Sequence, residues 1–196
     1  MPTFPRRLLQ HGTVRSDKPA FREKYLGIWQ TWTWSEVNEE VRALACGLAA
    51  IGFQRGMNLA IIGDNRPRLY WAMLAAQSLG GVPVPLYQDA PAADMAYVLQ
   101  DAEIRYAIVE DQEQVDKLLE LQPQLAAQAR ALQWIVYEDP RGLRDYDDAE
   151  LMSYERIQEI GREFDRTHPG FYEAAVEAGA PDDTAIILYT SGTTGK

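Results

Sequence analysis

Apolar, β-branched runs recur along this chain at intervals of roughly 20 to 30 residues, and helical spacing fills the gaps between them. The runs are 58–63 (NLAIIG), 82–86 (VPVPL), 105–109 (RYAIV) and 133–137 (QWIVY). Short continuous apolar runs alternating with helices define a parallel sheet covered on both faces, because strands buried on both sides have no polar face to show. The fold class expected is therefore α/β, an open, mainly parallel sheet flanked by helices on both faces. No sequence repeat accompanies the rhythm.

Ahead of the sheet, residues 19–32 alternate around Leu26-Gly27 and predict a β-hairpin. Thr33 and Glu36 form a capping box before a helix whose buried stripe is Val37, Val41, Leu44, Ala45 and Leu48, and Gly52 ends it. Such a box contributes about 1 kcal/mol. Pro67 starts a helix over 68–79 that is apolar on most sides and so expected to be buried. Helices are further expected at 91–101 (Met95, Val98, Leu99), from Gln112 (Val115, Leu118, Leu119), and separately after Pro123. Residues 138–150 carry Pro, Gly and six acidic residues, which predicts a solvated excursion. Ser153 then caps a helix through Ile157, Ile160 and Phe164, and Pro169 restarts a shorter one to about Ala178. Residues 139–183 are thus expected as a surface and helical elaboration within one domain, and 181–183 turn the chain into a last strand.

Composition removes several functions. The 196 residues are 46% hydrophobic and 24% charged, ordinary for a globular protein, and contain no apolar run of membrane-spanning length. The amino terminus, MPTFPRR, lacks the apolar stretch of a secretion signal, and the lone Cys46 suits a reducing compartment, so a cytoplasmic location is expected. His11, His168 and Cys46 lie too far apart in sequence to suggest a zinc site. A net charge of −10 argues against a nucleic-acid partner and against electrostatic docking on anionic lipid.

The chemistry sits at the end of the chain. Residues 184–189 (TAIILY) are an apolar run opening into Thr190, Ser191, Gly192, Thr193, Thr194, Gly195 and Lys196. A loop of small and hydroxyl-bearing residues after a strand binds phosphate, because backbone N–H groups converge on the anion and hydroxyls add donors. The Walker A loop is excluded, since position 190 is Thr where that motif needs Gly, and no dinucleotide fingerprint follows any strand. Four hydroxyls exceed what a simple turn requires.

Tyr189-Thr190-Ser191-Gly192-Thr193-Thr194-Gly195 resembles the phosphate-loop signature of the AMP-forming acyl-CoA synthetase, luciferase and peptide-synthetase adenylation superfamily. The likeness extends through most of residues 18–137. Three stretches look like the long-chain fatty acyl-CoA ligases: 63–67 (GDNRP) with Tyr70-Trp71, 85–89 (PLYQD), and 110–114 (EDQEQ) with Lys117. The helical insert at 151–178 resembles that branch as well.

That resemblance implies a truncated part of the large N-terminal domain of an adenylate-forming enzyme, residues 1–196, without its C-terminal domain. It implies an ATP-dependent ligase in which a fatty acid attacks the α-phosphorus to give acyl-AMP, and CoA then displaces AMP. Thr190, Ser191, Gly192, Thr193, Thr194 and Gly195 would hold the ATP phosphates. Lys196 occupies the variable position before the motif's Pro-Lys-Gly and takes no role. The Mg²⁺ ligand and the catalytic lysine would lie beyond residue 196, so no catalytic or metal-binding residue is expected here and the chain alone is expected to be inactive. The implied partners are ATP, CoA and a fatty acid, with peripheral membrane contact of the whole enzyme at the inner face. Bared strand edges would favour a homodimer. The alternatives are a fatty-acyl-AMP ligase, a medium-chain synthetase, or a non-catalytic folding or association module.

Other residues invite plainer readings. Tyr70 and Trp71 read as core beside Leu74 and Ala75 rather than as lining of a channel. Tyr87 and Asp89 stand at a strand's carboxyl end, as ligand contacts or as turn residues. Arg66 is either a phosphate contact or simply a helix start. His11 and His168 are expected to be exposed, and nothing flanking Cys46 would lower its pKa.

Overall fold

The computed structural model describes residues 2–190. A two-stranded antiparallel hairpin, β1 (Pro19–Tyr25) and β2 (Ile28–Thr33), stands beside a parallel sheet of β3 (Asn58–Ile62), β4 (Val82–Leu86), β5 (Tyr106–Val109), β6 (Trp134–Tyr137) and β7 (Leu151–Ser153). The sheet order is β4-β3-β5-β6-β7. The hairpin turns at Leu26 and Gly27, both with positive φ (47° and 82°), the backbone that a two-residue hairpin loop requires.

Alternation along each strand divides the core in two. Leu59, Ile61, Tyr106, Ile108 and Val136 face one layer, built from α1 (Phe4–Val14), α2 (Trp34–Ala50), α3 (Pro67–Ser78), α6 (Tyr154–Thr167) and α7 (Phe171–Glu177). Ala60, Ile62, Ala107, Val109 and Ile135 face the other, formed by α4 (Ala92–Asp101) and α5 (Gln112–Ala127). The sheet is thus buried on both sides, as the uninterrupted apolar runs require.

The capping box is present in full: Thr33 Oγ1 accepts from Glu36 N, and the Glu36 carboxylate accepts from Thr33 N at 2.7 Å. The whole expected stripe of α2 is buried. Ser153 caps α6 by accepting from Arg156 N. Helices α2 and α6 touch backbone to backbone, since a Cβ on Gly161 would stand 1.8 Å from Ala43 O and one on Gly47 2.3 Å from Ile157 O. Arg42 on α2 joins this layer by bridging Asp165 on α6 (2.7 Å) and Glu173 on α7.

Six features differ from expectation. Residues 4–14 form an unforeseen helix, α1, whose Thr3 cap accepts from Arg6 N. His11 is accordingly half-buried, its ring 4.7 Å from that of Trp34, whereas His168 is exposed on Phe164. Pro123 does not break α5, because Leu118, Leu121 and Leu125 on both sides of it hold one buried stripe. Within the acidic excursion Leu143 is buried, and β7 follows as a fifth parallel strand.

The last expected strand is not one. Residues 184–190 form no strand, and among the described residues a single backbone bond, Ile187 N to Pro83 O at 3.1 Å, ties them to β4. β4 runs beside β3 along its whole length, with Val82 N donating to Met57 O on that side and Pro83 O accepting from Ile187 N on the other, so the backbone groups of Pro83 and, two residues on, Pro85 face the outer edge. Neither proline has an N–H to donate, so a full ladder cannot form there.

Candidate functional site

Ligands in open α/β sheets sit beyond the carboxyl ends of the strands, where connections leave for opposite faces. Here that switch falls between β3, which exits to α3 on one face, and β5, which exits to α5 on the other. The crevice is filled by the protein's own side chains. Arg66, at the start of α3, pairs with Glu23 from the hairpin and Glu110 from the end of β5, both at 3.0 Å. Glu110 also accepts from Asp64 N at 2.6 Å. Both carboxylates, Glu23 first, hold the guanidinium pKa above its ordinary value. With its charge engaged on both sides, Arg66 is a structural clamp, which resolves the two readings of it in favour of the helix start.

Glu138 stands next to this clamp. Burial pushes its pKa up to about 7 against the opposing pull of Arg68, and its Oε2 has no partner among the described residues. Trp71 is buried, packed edge-on against Trp32 at 5.5 Å, while Tyr70 is 41% exposed and donates to Asn65 Oδ1. The core reading therefore holds for Trp71 alone. Tyr87 and Asp89 are both exposed at the carboxyl end of β4. Cys46 is fully buried, and burial, then Asp165, raises its thiol pKa to about 12.

Residues 184–190 lead along the sheet's edge toward the hydroxyl-rich residues. The segment enters beside Gly80 and Gly81, where Gln77 Nε2 donates to Ala185 O at 2.7 Å. It then passes Pro83 at Ile187, so it climbs alongside β4 in the same direction. Ile187 and Tyr189 turn inward against the α4–α5 layer, leaving Ile186 38% and Leu188 63% exposed on the opposite side. Tyr189 is pinned: its hydroxyl donates to Asp101 Oδ2 at 2.5 Å and its ring meets Tyr97 edge-on at 6.3 Å. Burial and that carboxylate push its pKa up to about 12, so it remains a neutral donor.

Thr190 is exposed directly after this anchor. Ser191, Gly192, Thr193, Thr194 and Gly195 lie outside the described residues. The anchors Gln77, Pro83, Tyr97 and Asp101 were not identified from sequence, and no local signal marks them, since Asp101 is 88 positions from Tyr189. Among the described residues no group of His, Cys, Asp and Glu could hold a metal ion.

Fold and approach segment together describe a parallel α/β domain whose described chain ends at the sheet edge, at Thr190, just before the glycine- and hydroxyl-rich residues of the sequence. The family profile described as AMP-binding enzyme matches residues 8–196, and the chain belongs to that family. The long-chain-fatty-acid–CoA ligase FadD15 of Mycobacterium bovis is 31% identical over 191 residues, covering 96% of this chain and 29% of the relative. The mouse long-chain-fatty-acid–CoA ligase ACSBG2 is 29% identical over 193 residues, covering 98% and 28%. Among solved structures, the N-terminal domain of FACL13 from Mycobacterium tuberculosis aligns with a TM-score of 0.66 at 24% identity, over 100% of this chain and 42% of that one. Acetoacetyl-CoA synthetase from Streptomyces lividans aligns with a TM-score of 0.73 at 22% identity, over 97% and 28%. These alignments support the fold, that of the N-terminal region of adenylate-forming enzymes. The chain spans less than a third of the length of the curated relatives it matches.

Proposed function

We propose that this chain is the amino-terminal part of the adenylation domain of an ATP-dependent, AMP-forming long-chain fatty acid–CoA ligase. The observation that carries the reading is the Tyr189–Gly195 heptad of the sequence, whose first residue, Tyr189, is anchored on Asp101. The likeness to FadD15 and ACSBG2 supports the long-chain substrate.

A carboxylate oxygen attacks the α-phosphorus of ATP, the bond to the β-phosphate oxygen breaks, and pyrophosphate leaves. The CoA sulfur then bonds to the acyl carbon as the bond to AMP breaks, and the thiol proton passes to a base outside this chain. Thr190, Ser191, Gly192, Thr193, Thr194 and Gly195 supply donors to the β- and γ-phosphates, where negative charge grows as pyrophosphate departs. Mg²⁺, when bound, neutralises charge on the phosphates. The described residues offer it no cluster of His, Cys, Asp or Glu ligands. The whole enzyme works in the cytoplasm, with peripheral contact at the inner face of the membrane. The 196-residue chain by itself releases no pyrophosphate.

An acyl-chain panel on the complete enzyme, read by coupled pyrophosphate release and thioester formation, tests the reading. Long-chain acids should give the highest kcat/KM. A maximum at medium chain length would point to a medium-chain synthetase, and acyl-AMP that never passes to CoA would point to an acyl-AMP ligase.

A further inference from the structure

Asp101 is the last residue of α4, a place where local chemistry gives no reason for an acid. Helix C-termini carry a partial negative charge, so a carboxylate there is disfavoured and a cation favoured. The last turn of α4 holds no basic residue, and among the described residues Asp101 forms no ion pair. Its side-chain partner is instead the Tyr189 hydroxyl, 88 positions on, at 2.5 Å. The carboxylate thus weakens its own helix and serves the first residue of the Tyr189–Gly195 heptad.

Backbone bonds do not hold this stretch. After Ile187 N donates to Pro83 O, residues 188–190 form no backbone hydrogen bond among the described residues. A parallel ladder would continue through Pro85, which has no N–H to give. Side chains do the holding instead. Tyr97 stands one turn before Asp101 on the same face of α4, and its ring meets that of Tyr189 edge-on at 6.3 Å. Ring and hydroxyl of Tyr189 are therefore gripped by one helix, which Met95, Ala96 and Leu99 bury against the sheet. The phenol–carboxylate bond is charge-assisted, the stronger class of hydrogen bond. Position passes from the sheet to α4, and from α4 to Tyr189.

We infer that Asp101 is a positioning residue for adenylation, acting through Tyr189 to fix the point from which the hydroxyl-rich residues begin. Its role is indirect: the carboxylate holds Tyr189, and the residues after Tyr189 hold phosphate. The inference rests on the ligase reading and deepens it, by tying α4 to the phosphate grip. Donors must stand at the departing oxygens before charge develops there, and a displacement of about 1 Å can cost on the order of 100-fold in rate. Thr190 follows Tyr189 directly, so any play in the Tyr189 side chain passes to the first of the hydroxyls.

The test uses the complete polypeptide with Asp101→Leu, Asp101→Asn, Tyr189→Phe, and Asp101→Leu combined with Tyr189→Phe. Asp101→Leu and Tyr189→Phe should each raise the KM for ATP in acyl-AMP formation about tenfold. The KM for the fatty acid, thioester formation from supplied acyl-AMP, and Tm should not move. Asp101→Asn keeps an oxygen that accepts from the phenol and should stay close to the parent. The double variant should be no worse than either single one, since both remove the same bond. Without nucleotide, amide exchange over residues 190–195 should quicken in Asp101→Leu and Tyr189→Phe but not in Asp101→Asn. Should the leucine variant misfold, Tyr189→Phe, which keeps the ring and deletes only the donor, decides. Parent-like ATP kinetics in Tyr189→Phe, additive losses in the double variant, or exchange that does not quicken overturns the inference. It falls alone if alanine at the loop hydroxyls still slows adenylation. A parent that forms no acyl-AMP from ATP defeats the ligase reading, and this inference with it.

Discussion

Glu138, at the exit of β6, is held where a neutral carboxyl is favoured over a charged one, because burial outweighs the attraction of nearby Arg68. The folded protein therefore binds this proton more tightly than the unfolded chain does. By linkage, the contribution of Glu138 to stability is greatest at low pH. It falls as pH rises from the ordinary glutamate value to about 7 and is level above that. Glu138→Gln keeps the shape and removes the titration. Thermal unfolding of the variant should match the parent near pH 4 and exceed it by about 3 °C at pH 8, the shift expected of about 1 kcal/mol in a domain of this size. An unchanged pH slope would show that the carboxyl is solvated. Arg66 illustrates the limit of reading single residues: its sequence position allowed a phosphate contact, and only the fold brings Glu23 and Glu110 to it from 43 and 44 positions away.

Helices α2 and α6 lie as close as they do because neither has a side chain at the crossing. Gly161→Ala would gain about 1 kcal/mol of helix propensity. The added methyl would also meet Ala43 O at 1.8 Å and force the helices apart, an overpacking cost of about 3 kcal/mol. Packing wins, and chemical denaturation should show a net loss of about 2 kcal/mol. A more stable variant would mean that the crossing is loose. At the sheet edge, Pro85→Val should supply the donor that β4 lacks opposite Ile187 O. Amide exchange across 186–189 should slow, and unaltered exchange would show that the prolines do not limit the pairing.

Elements whose signals are local were legible in the sequence. The hairpin followed from alternation around Leu26-Gly27, α2 from its capping box, and the four longer strands from apolar runs. What escaped depends on distant partners. The strand β7 has only three residues, and α1 gains its buried side from Leu8 packing on the helical layer. Continuity through Pro123 comes from the sheet beneath α5, and the missing final ladder from prolines on a neighbouring strand. The candidate loop is a motif of contiguous residues and so can be proposed from sequence, whereas the Tyr189–Asp101 anchor ahead of it joins distant positions and could not.

At the scale of the whole molecule, the edge beside β4 exposes Ile186 and Leu188 next to a segment with a single ladder bond. An apolar edge with unpaired backbone groups favours association. The 196-residue chain should therefore self-associate, and light scattering that finds a monomer at high concentration would remove this expectation. The sheet with its two helical layers anchors the approach segment through Tyr189, and the proposed function turns on the hydroxyl-rich residues that follow it in the sequence. The decisive measurement is adenylation kinetics of the complete polypeptide with Thr190, Ser191, Thr193 and Thr194 replaced singly by alanine. If these hydroxyls hold the departing pyrophosphate, removing the most important of them should slow acyl-AMP formation about 100-fold while thioester formation from supplied acyl-AMP is unaffected. Unchanged adenylation in all four variants would contradict the account.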